Sequence, residues 1–586
     1  MALESNYREA PKVFWQTIRR LRAGKVASIK SVKDRNGAIL TGEEEILQRW
    51  KEYFEELLNP VDHGEQNLEM QNRAENNPTQ AEVEAAIKSL KPGKAAGVDE
   101  IRPEMLKALG KGGLRWLTRV FEVAWKTGKV HLDWQTGVVV PIFKKGDQRE
   151  CCNYRGITLL SLPGKAYAKV LHSRLTEVVD QKIQDEQCGF RRGRGTTDQL
   201  FLLQQIAEKA WEYAKPVYIS FVDLEKAYDR VDRRLMWKTL EEYGVDRQLI
   251  GAITSLYSNS KSCVRILGRK SEMFRVGAGL RQGCVLSPLL FIIYMDRIAR
   301  RSLGQESVTI GSVSVSHLLF ADDLAILAPS QVDLQRALDR FSLECEAASM
   351  RINTAKTETL VISRNTVKCT LHVSGVQLQQ VEKFKYLGVL FASDGSWDQE
   401  IDRRIGAAAA VMRQLYRGVV CKRELSNRAK LAVFKSIFVP TLTYGHELWV
   451  MTTKTRSRIQ AAEMRFLRRI AGLTLRDRVR SSEIRKNINV EPLLLQIERS
   501  QLRWLGHILR MPSERLVHRV WDACPVGTRP RGRPRNRWKD QALRTCERIP
   551  LRNWVDIKTA AEDRSKWRGL LRGLTPRDPP GQAARN

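Results

Sequence analysis

The chain has 586 residues, 42% of them hydrophobic, which is too long for one core and too apolar for a disordered polymer, so several packed domains are expected. Lys and Arg number 99 against 66 acidic residues, and the resulting formal charge of +33 implies a polyanionic partner, nucleic acid first of all. No apolar run approaches the ~20 residues of a membrane-spanning helix, and Met1-Ala2-Leu3-Glu4-Ser5 lacks the pattern of a secretion signal, so an intracellular protein with no membrane attachment is expected.

Residues up to about Asn59 read as helix, because Trp15, Ile18 and Leu21, then Ile46, Trp50, Tyr53, Phe54 and Leu57, recur at helical intervals. Residues 60–78 are polar and turn-rich and read as a linker. Thr79-Gln80-Ala81-Glu82 then forms a capping box that opens a helix through Leu90. Val138-Val139-Val140-Pro141-Ile142-Phe143 predicts a strand whose basic end, Lys144-Lys145, precedes a Gly146-Asp147 turn. Val217-Tyr218-Ile219-Ser220-Phe221-Val222 predicts a buried strand that ends on Asp223.

At Phe320-Ala321-Asp322-Asp323, between two apolar runs, adjacent carboxylates fall at a turn where like charges repel and the neighbours require burial. Asp223 lies 99 residues upstream of Asp322, and if its strand runs beside this hairpin three carboxylates converge. Oxygen-only clusters suit Mg²⁺, and two such ions about 3.5–4 Å apart can activate a hydroxyl and stabilise a leaving oxygen in phosphoryl transfer. Either fragment alone fits an ordinary acidic turn and a helix N-cap equally well.

Residues 401–416 and 459–470 are Arg-rich and amphipathic and predict helices. From residue 401 on, 41 basic residues face 16 acidic ones, so +25 of the net charge sits in the last third. Arg531-Gly532-Arg533-Pro534-Arg535 reads like the core of an AT-hook, whose arginines enter a narrow minor groove, or else like a plain phosphate-binding strand. The ten cysteines show no CxxC pair and read as reduced thiols, and the irregularly spaced His507, His518, Cys524 and Cys546 read as packing residues.

Taken in order, Phe221-Val222-Asp223-Leu224-Glu225-Lys226-Ala227-Tyr228-Asp229, Gly279-Leu280-Arg281-Gln282-Gly283-Cys284-Val285-Leu286-Ser287-Pro288 and Phe320-Ala321-Asp322-Asp323 resemble the three palm motifs of reverse transcriptases, in the wording of non-long-terminal-repeat (LINE-type) retrotransposons. Lys91-Pro92-Gly93-Lys94-Ala95-Ala96-Gly97-Val98-Asp99, Asn153-Tyr154-Arg155-Gly156-Ile157 and Gln187-Cys188-Gly189-Phe190-Arg191-Arg192-Gly193-Arg194 extend the likeness over about residues 90–388. The resemblance implies an α+β right-hand polymerase fold. It implies a helical connector and linker at 1–78, fingers at 79–215 and a palm with an antiparallel sheet at 216–390, within a reverse transcriptase core of about 120–390. A helical thumb at 391–490 and a basic helical nucleic-acid-binding region at 491–586 complete it. Such proteins usually carry an endonuclease further upstream, for which 1–78 has no room, so a polymerase unit without that domain is expected.

The implied activity is RNA-directed DNA polymerisation by two-metal nucleotidyl transfer, with Mg²⁺ (or Mn²⁺) held by Asp223, Asp322 and Asp323. Implied partners are an RNA template, a DNA primer or target DNA and deoxynucleoside triphosphates, and the implied place is the nucleus with a cytoplasmic ribonucleoprotein stage. Tyr228 would lie beneath the incoming sugar and exclude a ribose 2′-hydroxyl, while Gln282 would contact the nucleotide and Gly283 would allow close backbone approach. Lys144 or Lys145 and Arg155 would bind the triphosphate. Asn353-Thr354-Ala355-Lys356-Thr357 resembles the fourth palm motif, which makes Lys356 a proton donor to pyrophosphate, although Ser349-Met350-Arg351 departs from the glycine usual before it. Asp229, Glu225 and Lys226 read as local structure, and Phe384-Lys385-Tyr386-Leu387-Gly388 resembles the primer grip. The alternative function is a catalytically inactive nucleic-acid-binding protein derived from such an element, with Arg531, Arg533 and Arg535 among its contacts.

Overall fold

The computed structural model describes residues 2–23, 29–59, 76–532, 534–551 and 553–576, in which helices and sheets are mixed throughout. After a short helix at Ala2–Glu9, α1 (Pro11–Ala23) buries Phe14 and Ile18 completely. The expected helix to Asn59 is interrupted by a hairpin, Val32–Lys33 against Ile39–Leu40. Its turn is made by the Asp34 carboxylate, which accepts the Asn36 and Ala38 N–H groups at 2.8 Å each, and by Gly37 at φ +88°. Helix α2 (Glu43–Leu58) follows and buries Ile46, Trp50 and Phe54 at helical spacing. In α3 (Gln80–Ser89) the capping box forms as read: the Thr79 N–H donates to Glu82 Oε2 at 2.7 Å and the Glu82 N–H to Thr79 Oγ1 at 3.3 Å.

Strands β1 (Thr136–Phe143) and β2 (Tyr154–Leu160) pair antiparallel, and helices α4 (Leu162–Val179) and α5 (Thr196–Glu212) follow. Next come β3 (Val217–Val222), β4 (Lys261–Ile266), which runs parallel to β1, and α6 (Ser287–Ser302). The hairpin β5 (His317–Phe320) and β6 (Asp323–Ala328) leads to α7 (Gln331–Ala347), β7 (Glu358–Ile362) and β8 (Gln379–Val381). These build a five-stranded sheet of order β5-β6-β3-β7-β8, antiparallel except for its last pair.

That sheet is buried on both faces, which is why its strands read as unbroken apolar runs. Val222, Leu324 and Ile326 face one core with α4, α6 and α7. Ile219, Phe221, Ala325 and Leu327 face a second core that contains α5 and residues 495–574. A further hairpin, β9 (Lys383–Tyr386) with β10 (Val389–Ala392), lies on this second face, and Phe384 stacks on Phe221 with ring centres 3.9 Å apart. Its turn, Leu387-Gly388, has positive φ at both residues, as a type I′ hairpin requires.

The remaining chain is helical: α8 (Asp398–Leu415), α9 (Thr453–Ile470), α10 (Leu493–Leu509), which also reaches into the second core, and α11 (Trp538–Cys546) are its main members. α8, α9 and the start of α10 close a third core around α1. α2 packs instead on β1 and β4 in a fourth. The first 58 residues are thereby divided between two separate cores. No described helix is long and apolar enough to cross a membrane.

Candidate active site

The register of the central sheet sets the site. Leu324 pairs with Val222, so one step further along the same ladder Asp323 stands opposite Asp223, with Asp322 in the adjoining turn. Only Ala321 of the two turn residues has positive φ (+60°), at the position where a type II′ turn favours glycine. A non-glycine residue there carries roughly 1–2 kcal/mol of strain, so the surroundings must hold it. A strap formed by residues 186–189 does so. Gln187 Oε1 accepts the N–H groups of Ala321 at 3.0 Å and Gly189 at 2.8 Å. Cys188 N–H donates to the Leu319 carbonyl at 2.9 Å, and Leu319 N–H to that of Glu186 at 3.0 Å. From behind, Arg515 reaches Asp185 at 3.4 Å and Asp198 at 3.3 Å, tying the C-terminal region to the strap.

Burial, with Asp322 and Asp223 adding repulsion, pushes the Asp323 carboxyl up to about 6, while Lys144 pulls it down. That separates two residues which the sequence left equivalent: both Lys144 and Lys145 are exposed beyond β1, and Lys144 is the one whose charge is felt at Asp323. Lys356 Nζ lies 3.4 Å from Asp223 Oδ2. It is brought there because residues 351–357 run along the end of β3, with Asn353 N–H on the Asp223 carbonyl at 2.8 Å and Asp223 N–H on Thr357 Oγ1 at 3.3 Å.

The donor set is oxygen only, and its mutual repulsion is what a hard divalent cation relieves, so the residue types fit Mg²⁺. The expected three-carboxylate metal cluster is not gathered, however: among the described residues no three His, Cys, Asp or Glu side chains are arranged to hold a metal. Asp223 is instead engaged by Lys356.

The neighbouring loop supplies the rest. Tyr228 stacks on Phe291 of α6, ring centres 4.2 Å apart and 14° from parallel, and burial raises its hydroxyl pKa. The Gln282 amide is used at both ends: Arg155 Nε donates to its Oε1 at 3.2 Å and its Nε2 donates to Asp229 Oδ1 at 2.8 Å. Asp229, read from sequence as local structure, therefore fixes a residue of the site, and burial raises its carboxyl. Gly283 (φ +133°) does have a close backbone neighbour, but that neighbour is the chain itself: a Cβ would lie 2.4 Å from the Thr158 carbonyl oxygen. Two arginines, half-buried Arg233 and buried Arg281, hold the loop. Arg233 donates to the carbonyls of Val276, Ala278 and Gly279 at 2.8, 3.2 and 3.0 Å, and Arg281 donates to those of Trp134, at 2.6 Å, and Gln135.

The C-terminal arginines are remote from this cluster. Arg535 lies 3.9 Å above the Trp211 ring and donates to the Asp394 carbonyl, so it is folded onto the protein; Arg531 is exposed. Arg533 lies outside the described residues. Gln187, Asp229 and Arg281 were not singled out for these roles from sequence, because each acts through contacts with segments 53 to 147 residues away.

Residues 142–391 match the family described as reverse transcriptase (RNA-dependent DNA polymerase). The chain is 25% identical over 477 residues to the RNA-directed DNA polymerase from mobile element jockey of Drosophila melanogaster, covering 79% of this chain and 51% of that protein. It is 25% identical over 458 residues to the probable RNA-directed DNA polymerase from transposon BS of the same species, covering 76% and 50%. Over 388 residues it is 26% identical to the Pol polyprotein from type-1 retrotransposable element R2 of Popillia japonica, covering 64% and 52%. The chain thus spans about half the length of these relatives.

Proposed function

Since residues 142–391 are a reverse transcriptase domain of the kind found in non-LTR mobile elements, we propose that the chain is an RNA-directed DNA polymerase that extends a DNA 3′-end on an RNA template. The observation that most supports this reading is the ladder register that sets Asp323 opposite Asp223 beside the Asp322 turn. On this reading β1, β2 and their helices act as fingers, the five-stranded sheet as palm and the helices from α8 onward as thumb, with a basic nucleic-acid-binding region after residue 490.

Asp223, Asp322 and Asp323 are the residues that would hold two Mg²⁺ ions. Bound there, the ions would lower the pKa of the primer 3′-hydroxyl and neutralise charge on the departing pyrophosphate. The chain's own groups do the positioning. Arg155 and Lys144 face the triphosphate, and Arg155 with Asp229 orients the Gln282 amide toward the incoming nucleotide. Tyr228, held flat by Phe291, leaves no room beneath the sugar for a ribose 2′-hydroxyl. Lys356 keeps a proton at hand for the leaving group.

The test is primer extension with deoxynucleotides and Mg²⁺ on an RNA template annealed to a DNA primer, beside Asp322→Ala prepared identically. Extension that vanishes in the variant is expected. A folded wild-type chain that binds the hybrid but adds nothing, or a variant that extends normally, overturns the reading.

A further inference from the structure

We propose that a cavity on the second face of the central sheet binds one unpaired nucleotide of a single-stranded nucleic acid. The cavity holds about 320 Å³, within the ~300–1,000 Å³ typical of ligand pockets. It lies between α5, β10 and residues 529–532 and 534–537, which line it from the C-terminal region. Ile362 on its wall pairs with Val217, at the start of β3. Asp223 is at the other end of that strand, so at ~3.3 Å per residue the carboxylate turn is about 20 Å away. This is not the polymerase site.

Three features select the ligand. Three aromatic side chains, Trp211, Phe391 and Trp397, are among its walls. The indole of Trp211 already carries a planar guanidinium, Arg535, 3.9 Å above it, which shows that the face accepts a flat, electron-poor group. Gln204 lines the cavity with only 4% exposure; its Nε2 donates to the Leu448 carbonyl at 2.8 Å, but its Oε1 is buried with no partner among the described residues. A buried acceptor left unpaired costs about 1–3 kcal/mol, so a ligand with an N–H donor is favoured there.

The rim is cationic. Arg529 and Arg537 are each 3.3 Å from Glu212. Arg531, between them, is exposed and makes no ion pair or hydrogen bond among the described residues, so its guanidinium is available to a phosphate. Aromatic side chains in the walls, a buried acceptor and a phosphate-binding rim together describe a nucleotide rather than an apolar molecule or a simple anion. A base in a duplex is stacked and paired, so the base must come from an unpaired stretch. Arg535 folded on Trp211 is likewise not extended as minor-groove insertion requires.

The inference shares with the proposed function only the premise that the chain handles nucleic acid. The experiment uses the full chain with Asp322→Ala, in chelator, so that the polymerase site does not contribute. The probe is a short single-stranded oligonucleotide carrying one photoreactive base, with its duplex form and free AMP and GMP as separate arms. Expected are crosslinks on peptides containing Trp211, Trp397 or residues 529–537, suppressed by the mononucleotides and absent with the duplex. Gln204→Leu and Trp211→Leu, each checked by circular dichroism, should weaken binding about tenfold or more. Arg531→Ala should lower the salt slope of binding by about one without disturbing the core, so it keeps the test open if Trp211→Leu does not fold. Crosslinks confined to other peptides, binding unchanged in Gln204→Leu and Arg531→Ala, or capture of free nucleotide without any strand crosslink would each overturn the proposal. Primer extension by the wild type is scored separately, so loss of that activity and loss of this site are distinguishable.

Discussion

Adding one methyl group at Gly189 should slow nucleotide addition far more than it weakens the fold. A Cβ there would lie 2.3 Å from the Ala321 backbone nitrogen and 3.0 Å from its Cα, whereas ordinary contact begins near 3.4 Å. Something must move by about an ångström, and both sides are backbone, pinned by the Cys188–Leu319 and Leu319–Glu186 hydrogen bonds. Overpacking of this kind costs roughly 1–3 kcal/mol, which leaves the domain folded. Yet a turn displaced by ~1 Å carries Asp322 with it, and misplacement on that scale can cost on the order of 10²-fold in rate. Steady-state primer extension and urea unfolding of Gly189→Ala would be compared with those of wild type. Gly195→Ala serves as control, since its Cβ would meet nothing closer than the Asp198 carboxylate at 3.7 Å. A wild-type extension rate in Gly189→Ala, or equal rate losses in the two variants, refutes the idea that the strap positions the turn.

Lys356→Ala should change stability by under about 1 kcal/mol, because its ion pair with Asp223 is solvent-exposed, while extension falls roughly 10²–10⁴-fold if the ammonium is the proton donor; equal single-turnover rates, measured where chemistry limits, would count against it. Burial holds His317 neutral, its pKa lowered from 6.5 to about 4. The unfolded chain therefore takes up a proton below about 6.5 that the folded one refuses until about 4, so stability is lost as pH falls through that window. His317→Gln should flatten that part of a denaturation curve taken against pH, and an unchanged slope would exclude His317 as its source. Arg281→Met should cost about 3 kcal/mol or more in urea unfolding, since the carbonyls of Trp134 and Gln135 lose a buried cationic donor; a loss below 1 kcal/mol would mean that they find other partners.

What could be read from the chain is what local pattern governs. The apolar run ending on Asp223 and the hairpin around Asp322 announce themselves because both sheet faces are buried, and Thr79 with Glu82 announces a helix start because the cap is closed within four residues. What could not be read depends on distant partners. Nothing near Gln187 shows that its amide holds Ala321, 134 residues on, and nothing near Gly283 shows that Thr158 is what presses on it. Asp229 read as local structure, and only the fold shows the Gln282 amide on its carboxylate. The hairpin at 32–40 was hidden because helical spacing on either side of it masked a turn made by one aspartate and one glycine. Arg535 resembled part of a free arm, and only the fold shows that Trp211 lies beneath it.

The third core also orders events during synthesis. α1 is synthesised well before its partner: Phe14 and Ile18 belong to a core with α8, which begins some 380 residues later. At ~5–20 residues per second, about 20–80 s pass before that partner exists. In that interval the amphipathic helix has no native surface to cover, so this region cannot mature until translation has passed the central sheet, and a ribosome that stops before residue 398 releases that sheet with α1 still unhoused.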